Sequence, residues 1–334
     1  MVTAYKRINK IILIKKRRKM MKKAVFLLII LLTLFLVGKS GASTLQKSII
    51  PEDVDWVIHF DLEKFSATQI GDQLLNNENI LGLRHKNAQF RDYYQIDILK
   101  DIKGFTVYGS GTDEENNVVC LRGNFDKAYL LGLLADEYTH KETQYGNFTI
   151  HTWDYDEAGV FVDDNLALIA HDVTAIRKAL DVISGKKANI TSSSLVSILN
   201  EVPPNVFFTA LARDLSELAE HESDVFIFQK TESALFTITE ENDYVNLRLN
   251  FTVKTIEDAQ SMESVIRGLI SLAKMQMEVE QRDILRPLEE IGLSTEGKKI
   301  RVELSYPIQE LADIVLGKVK LFPFHKLAGF NLHP

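Results

Sequence analysis

The 334-residue sequence contains a single cysteine, Cys120, which excludes an intramolecular disulfide and the small disulfide-stapled scaffolds. Cys120 lies in the apolar run 118–121, which favours a buried thiol. The 17 glycines are far below the one-third of a collagen-like repeat. A hydrophobic fraction of 46% with 25% charged residues excludes a disordered chain. The composition therefore predicts a folded protein, and its length suggests about two domains.

Acidic side chains are missing from residues 1–42, which hold 11 of the 39 Lys and Arg residues. The rest of the chain carries the other 28 basic side chains and all 46 acidic ones, a net charge of −18. Because a body this acidic repels phosphate backbones, nucleic acid is not expected as a partner. The same charge argues against docking on an anionic lipid surface.

An unbroken apolar run covers residues 24–37, directly after Lys22 and Lys23. Its length matches the apolar core of a signal peptide and falls short of the roughly 20 residues of a spanning helix. Ser40-Gly41-Ala42 then supplies small residues where a signal peptidase cleaves. These features together predict export.

The expected signal peptide covers residues 1–42 and is cleaved after Ala42, which makes the mature protein periplasmic or extracellular. Residues 1–19 are a candidate for a mis-assigned start, because Met20 stands just before the lysine pair. The alternative is that residues 24–37 stay in place and anchor the protein in the inner membrane.

The mature chain is predicted to consist of two similar halves, residues 43–200 and 201–320, followed by a basic-aromatic tail over 321–334. The boundary is set by Pro203-Pro204, because proline does not continue a helix. Each half is expected to be a mainly antiparallel sheet with the ferredoxin-like order β-α-β-β-α-β, which makes the fold class α+β. The alternative is that similar strand and helix order arises without a repeat.

The match between the halves starts at their first strands, which lead into Asp61-Leu62 and Asp214-Leu215. Each half then has a hairpin with an acidic turn and a helix with a capping residue, Asp126 in the first half and Thr255 in the second. Helical spacing predicts which leucines and valines of the two helices face the sheet, namely Leu130, Leu134, Val265 and Leu269.

The segment 50–62, IPEDVDWVIHFDL, resembles the opening of secreted bacterial proteins of unknown function. The mature chains of that group begin with a Pro-acid turn, a strand ending in Asp and a short helix. Val202-Pro203-Pro204-Asn205, before the second half's first strand, is similar to the same group. The resemblance implies an exported α+β protein and brings no catalytic residues with it.

Histidine spacing typical of a metal site is missing. None of the 8 histidines forms an HxH or HxxxH pair, and His221-Glu222 lacks the second histidine of HExxH. His59, His151 and His171 lie in or at the ends of predicted strands, so they bind a metal only if the strands bring them together. We therefore predict no metal site and no cofactor.

Motifs for catalysis and ion binding are weak. Residues 154–159 begin like a calcium loop, but its twelfth position is Asn165 where a bidentate Glu is needed, so a hairpin turn is predicted. Residues 184–187 and 271–274 match SxxK, and no GxSxG elbow is present. Gly109-Ser110-Gly111 is too short for a phosphate loop. No catalytic residue is therefore assigned.

The sequence favours an exported, non-catalytic binding or structural module of the cell envelope, whose partner is an envelope protein or a small ligand. One alternative is a periplasmic hydrolase, in which Asp53, Asp55 and Asp61 act as paired carboxylates if a cleft holds them together. A second alternative is a membrane-anchored assembly subunit.

Overall fold

The computed structural model describes residues 45–77, 83–111, 116–154, 156–215, 230–276, 289 and 291–316. All of these described residues belong to one compact unit. The predicted signal peptide (1–42) and the predicted tail (321–334) lie outside the described residues.

Strands dominate the described part of the chain. They are β1 (Trp56–Asp61), β2 (Ile102–Gly109), β3 (Val118–Gly123), β4 (Lys141–Tyr145), β5 (Phe148–Trp153), β6 (Glu157–Phe161), β7 (Leu166–Ala170), β8 (Phe208–Arg213), β9 (Thr231–Glu241), β10 (Tyr244–Val253), β11 (Gly292–Glu296) and β12 (Lys299–Pro307).

Helices lie between the strands and after the last one. They are α1 (Leu62–Ser66), α2 (Gln69–Leu75), α3 (Leu83–Tyr94), α4 (Ile98–Asp101), α5 (Lys127–Ala135), α6 (Val173–Ile183), α7 (Val196–Leu199), α8 (Ile256–Gln276) and α9 (Ile308–Val315). Two short 3₁₀ turns cover Lys47–Ile49 and Ile190–Ser192. Of the helices described here, none combines the length and the apolarity needed to cross a membrane.

The described strands form one sheet in the order β11-β12-β10-β9-β8-β1-β2-β3-β7-β6-β5-β4. Every neighbouring pair in it is antiparallel. The predicted α+β class with a mainly antiparallel sheet is confirmed. Because β1 pairs with β8 across the predicted boundary between the halves, the sheet is continuous. A single continuous sheet does not establish the predicted pair of ferredoxin-like halves.

Local sequence explains the tight turns and helix starts. Asn242 and Asp243 join β9 to β10 with φ angles of 51° and 65°. A two-residue hairpin loop with positive φ at both positions matches the right-handed twist of the strands, and Asn and Asp tolerate positive φ better than most residues. The predicted cap of α5 is also present, since the Asp126 side chain accepts a hydrogen bond from the Tyr129 N–H.

The main core lies on one face of the sheet, under α6. Ile176, Ala179 and Leu180 of this helix are fully buried, and they belong to the same cluster as Val57 of β1 and Leu211 of β8. Complete burial of a leucine or isoleucine contributes roughly 1.5–3 kcal/mol, so Ile176 and Leu180 each stabilise the packing of this helix on the sheet. Cys120 of β3 lies in the same cluster, as its apolar neighbours predict.

The covered face of the sheet changes between β9 and β10. Leu235 of β9 belongs to the main core, but its partner on β10 is Asn250. The next residue, Phe251, points to the opposite face, because side chains alternate along a strand. There it forms a second cluster with Ala259 and Met262 of α8.

The packing of α8 corrects one sequence prediction. Val265 and Leu269, expected to face the sheet, are 41% and 54% exposed. The buried side of the helix carries Ala259 and Met262, with Ile266 packed against the cluster. The prediction was wrong because α8 has apolar residues on more than one stripe, and spacing alone does not select the stripe that meets the sheet.

Candidate functional site

An apolar groove crosses the middle of the sheet on the face opposite the main core. Its floor is a row of side chains from four neighbouring strands, since Ile58 pairs with Ala210, Ala210 with Phe236, and Phe236 with Leu249. Residues paired across antiparallel strands share a face, which places the whole row in one line. Trp56 lies two residues before Ile58 and lines the same groove.

Small side chains explain why this part of the sheet is hollow. Ala212 and Ala234 follow Trp56 in one row of partners across the strands, and Ala210 lies between Ile58 and Phe236 in the next row. Methyl side chains next to aromatic rings leave a depression, whose volume is about 420 Å³. Ligand pockets of proteins usually measure roughly 300–1,000 Å³ and are mostly apolar. The groove therefore has the size and lining of a site for a small apolar molecule.

Polar groups are concentrated at one rim of the groove. Arg213 Nε lies 3.1 Å from Asp55 Oδ1, and the Arg213 N–H donates to the Asp55 carbonyl at 2.8 Å. The Gly111 N–H donates to the other carboxylate oxygen of Asp55 at 3.0 Å. Trp56 Nε1 donates to the Gly111 carbonyl at 3.1 Å, which fixes the ring at the rim. The rim is therefore held by one connected set of hydrogen bonds.

Gly109 makes room for the Trp56 ring. The two residues are partners on β2 and β1, and a Cβ at Gly109 would come within 2.7 Å of the indole. The motif Gly109-Ser110-Gly111 thus shapes the groove wall instead of holding a phosphate. No feature of the sequence indicates this role, because it depends on the pairing of β1 with β2.

The three histidines singled out in the sequence are not brought together. His59 is buried in β1 with its Nδ1 2.9 Å from Thr106 Oγ1. His171 follows β7 and its Nδ1 lies 3.1 Å from Glu157 Oε1. His151 lies in β5, on the hairpin at the sheet edge. His221 lies outside the described residues.

A different set of ligating side chains does converge at that edge: His140, Glu142 and His151. The HxH and HxxxH spacing rules miss this set, because His140 lies before the hairpin turn between β4 and β5 and His151 lies after it. The available signal is the spacing His140-x-Glu142 directly at the entry to a strand. A two-residue hairpin turn then returns His151 to the same place.

The candidate acids Asp53, Asp55 and Asp61 each have a different cationic partner. Asp53 Oδ2 lies 2.7 Å from Lys178 Nζ, and Asp55 forms the rim pair with Arg213. Asp61 is fully buried and caps α1. The described structure therefore does not join the three acids in one cleft, although Asp55 borders the groove.

A fourth acid, Glu63, is buried at the start of α1. Within the described residues, neither of its carboxylate oxygens has a hydrogen-bond partner. Burial raises the pKa of Glu63, with Lys103 opposing the shift and Asp61 adding to it. This carboxyl group does not line the groove.

The remaining sequence candidates have structural roles. Asp154 and Asp156 lie between β5 and β6, which pair as antiparallel neighbours, and residues 157–159 belong to β6. Ser184 is the C-terminal cap of α6, and the Ser271 hydroxyl donates to the Arg267 carbonyl within α8 at 2.8 Å. The described contacts of these serines do not include a lysine.

No protein-family model and no curated protein matches the chain. Among solved structures, it is similar to crystal form III of TP0453, with 8% identity and a TM-score of 0.47 over 82% of this chain and 99% of that one. Crystal form I of TP0453 has 7% identity and a TM-score of 0.45, over 83% of this chain and 99% of that one. At this level, the similarity assigns no function to the chain.

Proposed function

We propose that this protein is an exported, non-catalytic binding module of the cell envelope, and that its ligand is a small apolar molecule held in the groove. The observation that carries the proposal is the cavity of about 420 Å³ lined by Trp56, Ile58, Phe236 and Leu249. Apolar surface left partly open to water in the middle of a sheet favours a ligand that removes it from solvent.

The arrangement of the acids supports binding over hydrolysis. A pair of carboxylates works as acid and base when both flank one substrate bond. Here Asp53, Asp55 and Asp61 have separate partners, and Asp55 holds the rim through Arg213 and Gly111. Export remains supported by the sequence of residues 1–42 and by the resemblance of residues 50–62 to secreted proteins of unknown function.

Trp56 provides a direct test. The chain has 2 tryptophans, so the variant Trp153→Phe leaves Trp56 as the only one. We expect titration with the amphipathic dye 1-anilinonaphthalene-8-sulfonate, whose aromatic rings are apolar, to quench Trp56 emission saturably, because the Trp56 ring lines the cavity. The dye stands for the class of apolar ligands.

Filling the groove gives the matched comparison. In the same Trp153→Phe background, Ala210→Phe should weaken dye binding by about tenfold or more, since the added phenyl ring would occupy the floor of the groove. Ala135→Phe, on an exposed position of α5, adds the same side chain elsewhere and should leave the affinity unchanged. Equal affinity in the two variants, with both folded by circular dichroism, would contradict the proposal. Leu249→Gln provides a second groove variant if Ala210→Phe fails to fold.

We further propose that the two halves are copies of one β-α-β-β-α-β unit. In support, the first strands of the halves, β1 and β8, pair with each other. In each half the third strand precedes a helix and is a neighbour of the last strand in the sheet. The neighbouring pairs are β3 with β7 and β10 with β12. An experimental structure tests this by superposition of residues 43–200 on 201–320. A strand instead of a helix in the segment 216–229 would contradict it.

A further inference from the structure

The hairpin at the sheet edge places three ligating side chains at one point. His140 stands directly before β4, and Glu142 is the second residue of that strand. Glu142 and His151 are partners in the register of β4 and β5. The turn between these strands has Gly146 at its first position with φ +60°, a conformation that glycine adopts readily in two-residue loops.

The ligating atoms are close enough to surround one ion. His140 Nε2 lies 3.1 Å from His151 Nδ1, and His151 Nδ1 lies 3.7 Å from Glu142 Oε1. All three atoms fall within 4.8 Å of one another. Two nitrogens on a tetrahedral zinc ion are roughly 3.3 Å apart, as follows from Zn–N bonds of about 2.0–2.1 Å. The separation of the two nitrogens is therefore near the value that a shared ion requires.

The orientation of the rings also fits a shared ion. Their planes differ by 9° while their centroids are 5.3 Å apart. With the two nitrogens only 3.1 Å apart, the rings meet edge to edge, not face to face. Each ring therefore directs a nitrogen at the other, and without an ion one of the two nitrogens donates a hydrogen bond to the other.

Neighbouring contacts hold the site in place and set its charge. The His140 N–H donates to the Glu137 carbonyl at 3.0 Å, which fixes the start of the hairpin. His151 is buried, and burial lowers its pKa; His140 and Lys127 lower it further, while Glu142 opposes the shift. A neutral imidazole is the form that binds metal. Glu142 has a side chain 60% exposed, so an ion reaches the site from solvent.

We propose that His140, Glu142 and His151 bind a divalent transition-metal ion of the zinc class, with one coordination position open to solvent. Two imidazoles and a carboxylate suit zinc, copper or nickel, whereas calcium and magnesium require mainly oxygen ligands. The Lys127 ammonium group is the cation that acts on His151 from α5.

Isothermal titration calorimetry of the full chain with Zn²⁺, after bound metals have been removed with a chelator, tests the proposal. We expect one saturable site per chain, and Co²⁺ in its place should give the visible absorption of a tetrahedral ion. Loss of a group that hydrogen-bonds to a metal ligand costs about 10–100-fold in metal affinity, so loss of a ligand itself should cost at least as much. His140→Ala and Glu142→Gln should therefore each weaken binding at least about tenfold.

His171→Ala is the matched control, because His171 and Glu157 form a histidine–carboxylate pair without a third ligand nearby in the described structure. This variant should bind Zn²⁺ as the unchanged chain does. Glu142→Gln keeps the test decisive even if a histidine variant fails to fold, since Glu142 is exposed. Absence of saturable binding would overturn the proposal, as would affinity that is lost in His171→Ala and kept in Glu142→Gln.

Discussion

Arg213 and Asp55 are joined twice at the rim of the groove, once through their side chains and once through their backbones. Arg213 Nε lies 3.1 Å from Asp55 Oδ1, and the Arg213 N–H donates to the Asp55 carbonyl at 2.8 Å. Asp55 precedes β1 and Arg213 ends β8, so the pair stabilises the junction between the two strands that join the predicted halves.

A double-mutant cycle measures the strength of this junction. Both side chains are about one-third exposed, so the coupling between Asp55→Ala and Arg213→Ala should be about 0.2–1 kcal/mol in urea unfolding. Asp55→Ala alone should cost more than Arg213→Ala alone, because it also leaves the Gly111 N–H without its acceptor. Equal costs for the two single variants would show that the Gly111 contact contributes nothing.

Truncation in the main core should be costly. Leu180 is fully buried between α6 and the sheet, so Leu180→Ala should lower the free energy of unfolding by about 2–5 kcal/mol. Leu272→Ala removes the same atoms from a side chain that is 54% exposed on α8, and it should change the free energy of unfolding by at most about 0.5 kcal/mol. Similar losses in the two variants would contradict the burial described here.

A methyl group at Gly109 should disturb Trp56. In Gly109→Ala the new Cβ would clash with Asn117 Oδ1 and would lie 2.7 Å from the indole, so both groups must move. We expect a loss of about 1–3 kcal/mol from overpacking, together with a shift of Trp56 emission to longer wavelength in the Trp153→Phe background. Unchanged emission and stability would show that the ring does not lie against β2.

Glu63 should make stability fall as pH rises. Its pKa in the folded protein is raised above the ordinary value of 4.5, so the folded state holds the proton more tightly than the unfolded state. The stability that comes from protonated Glu63 is present below pH 4.5 and is lost as pH rises through the folded pKa. Glu63→Gln should therefore be more stable than the unchanged chain at neutral pH and similar to it below pH 4.5.

The exposed Glu257, in the first turn of α8, is the control for this comparison. Glu257→Gln removes the same charge without relieving a buried carboxylate, so it should not raise stability at neutral pH. Urea unfolding of both variants at neutral pH and below pH 4.5 shows whether the gain in stability comes from the buried carboxylate of Glu63 or from the change in net charge. A gain in Glu257→Gln equal to that in Glu63→Gln would point to net charge as the cause.

Export with cleavage after Ala42 stays a prediction from sequence. Residues 24–37 have the length of a signal-peptide core, and Ser40-Gly41-Ala42 provides the cleavage site. N-terminal sequencing of the protein from the envelope fraction should therefore give Ser43 first. A chain that still begins at Met1 or Met20 would show that the segment is retained as an anchor.

Several local features follow from sequence because their causes are local. Asn242-Asp243 forms the loop between β9 and β10, Asp126 caps α5, and the apolar surroundings of Cys120 predict its burial. In each case the determining contacts lie within a few residues along the chain or in the immediate hydrophobic pattern. The α+β class follows in the same way, since strand and helix signals are read from short windows.

Other features were decided by pairing between strands that are distant in sequence. The joining of β1 to β8, the groove of alanines beside Trp56 and Phe236, and the meeting of His140 with His151 depend on register, which fixes the face and the neighbours of each side chain. The buried stripe of α8 is a similar case, because the helix offers more than one apolar stripe and only its contact with Phe251 and Ile300 selects among them. Sequence thus determined the elements, and the tertiary structure decided which of their faces meet.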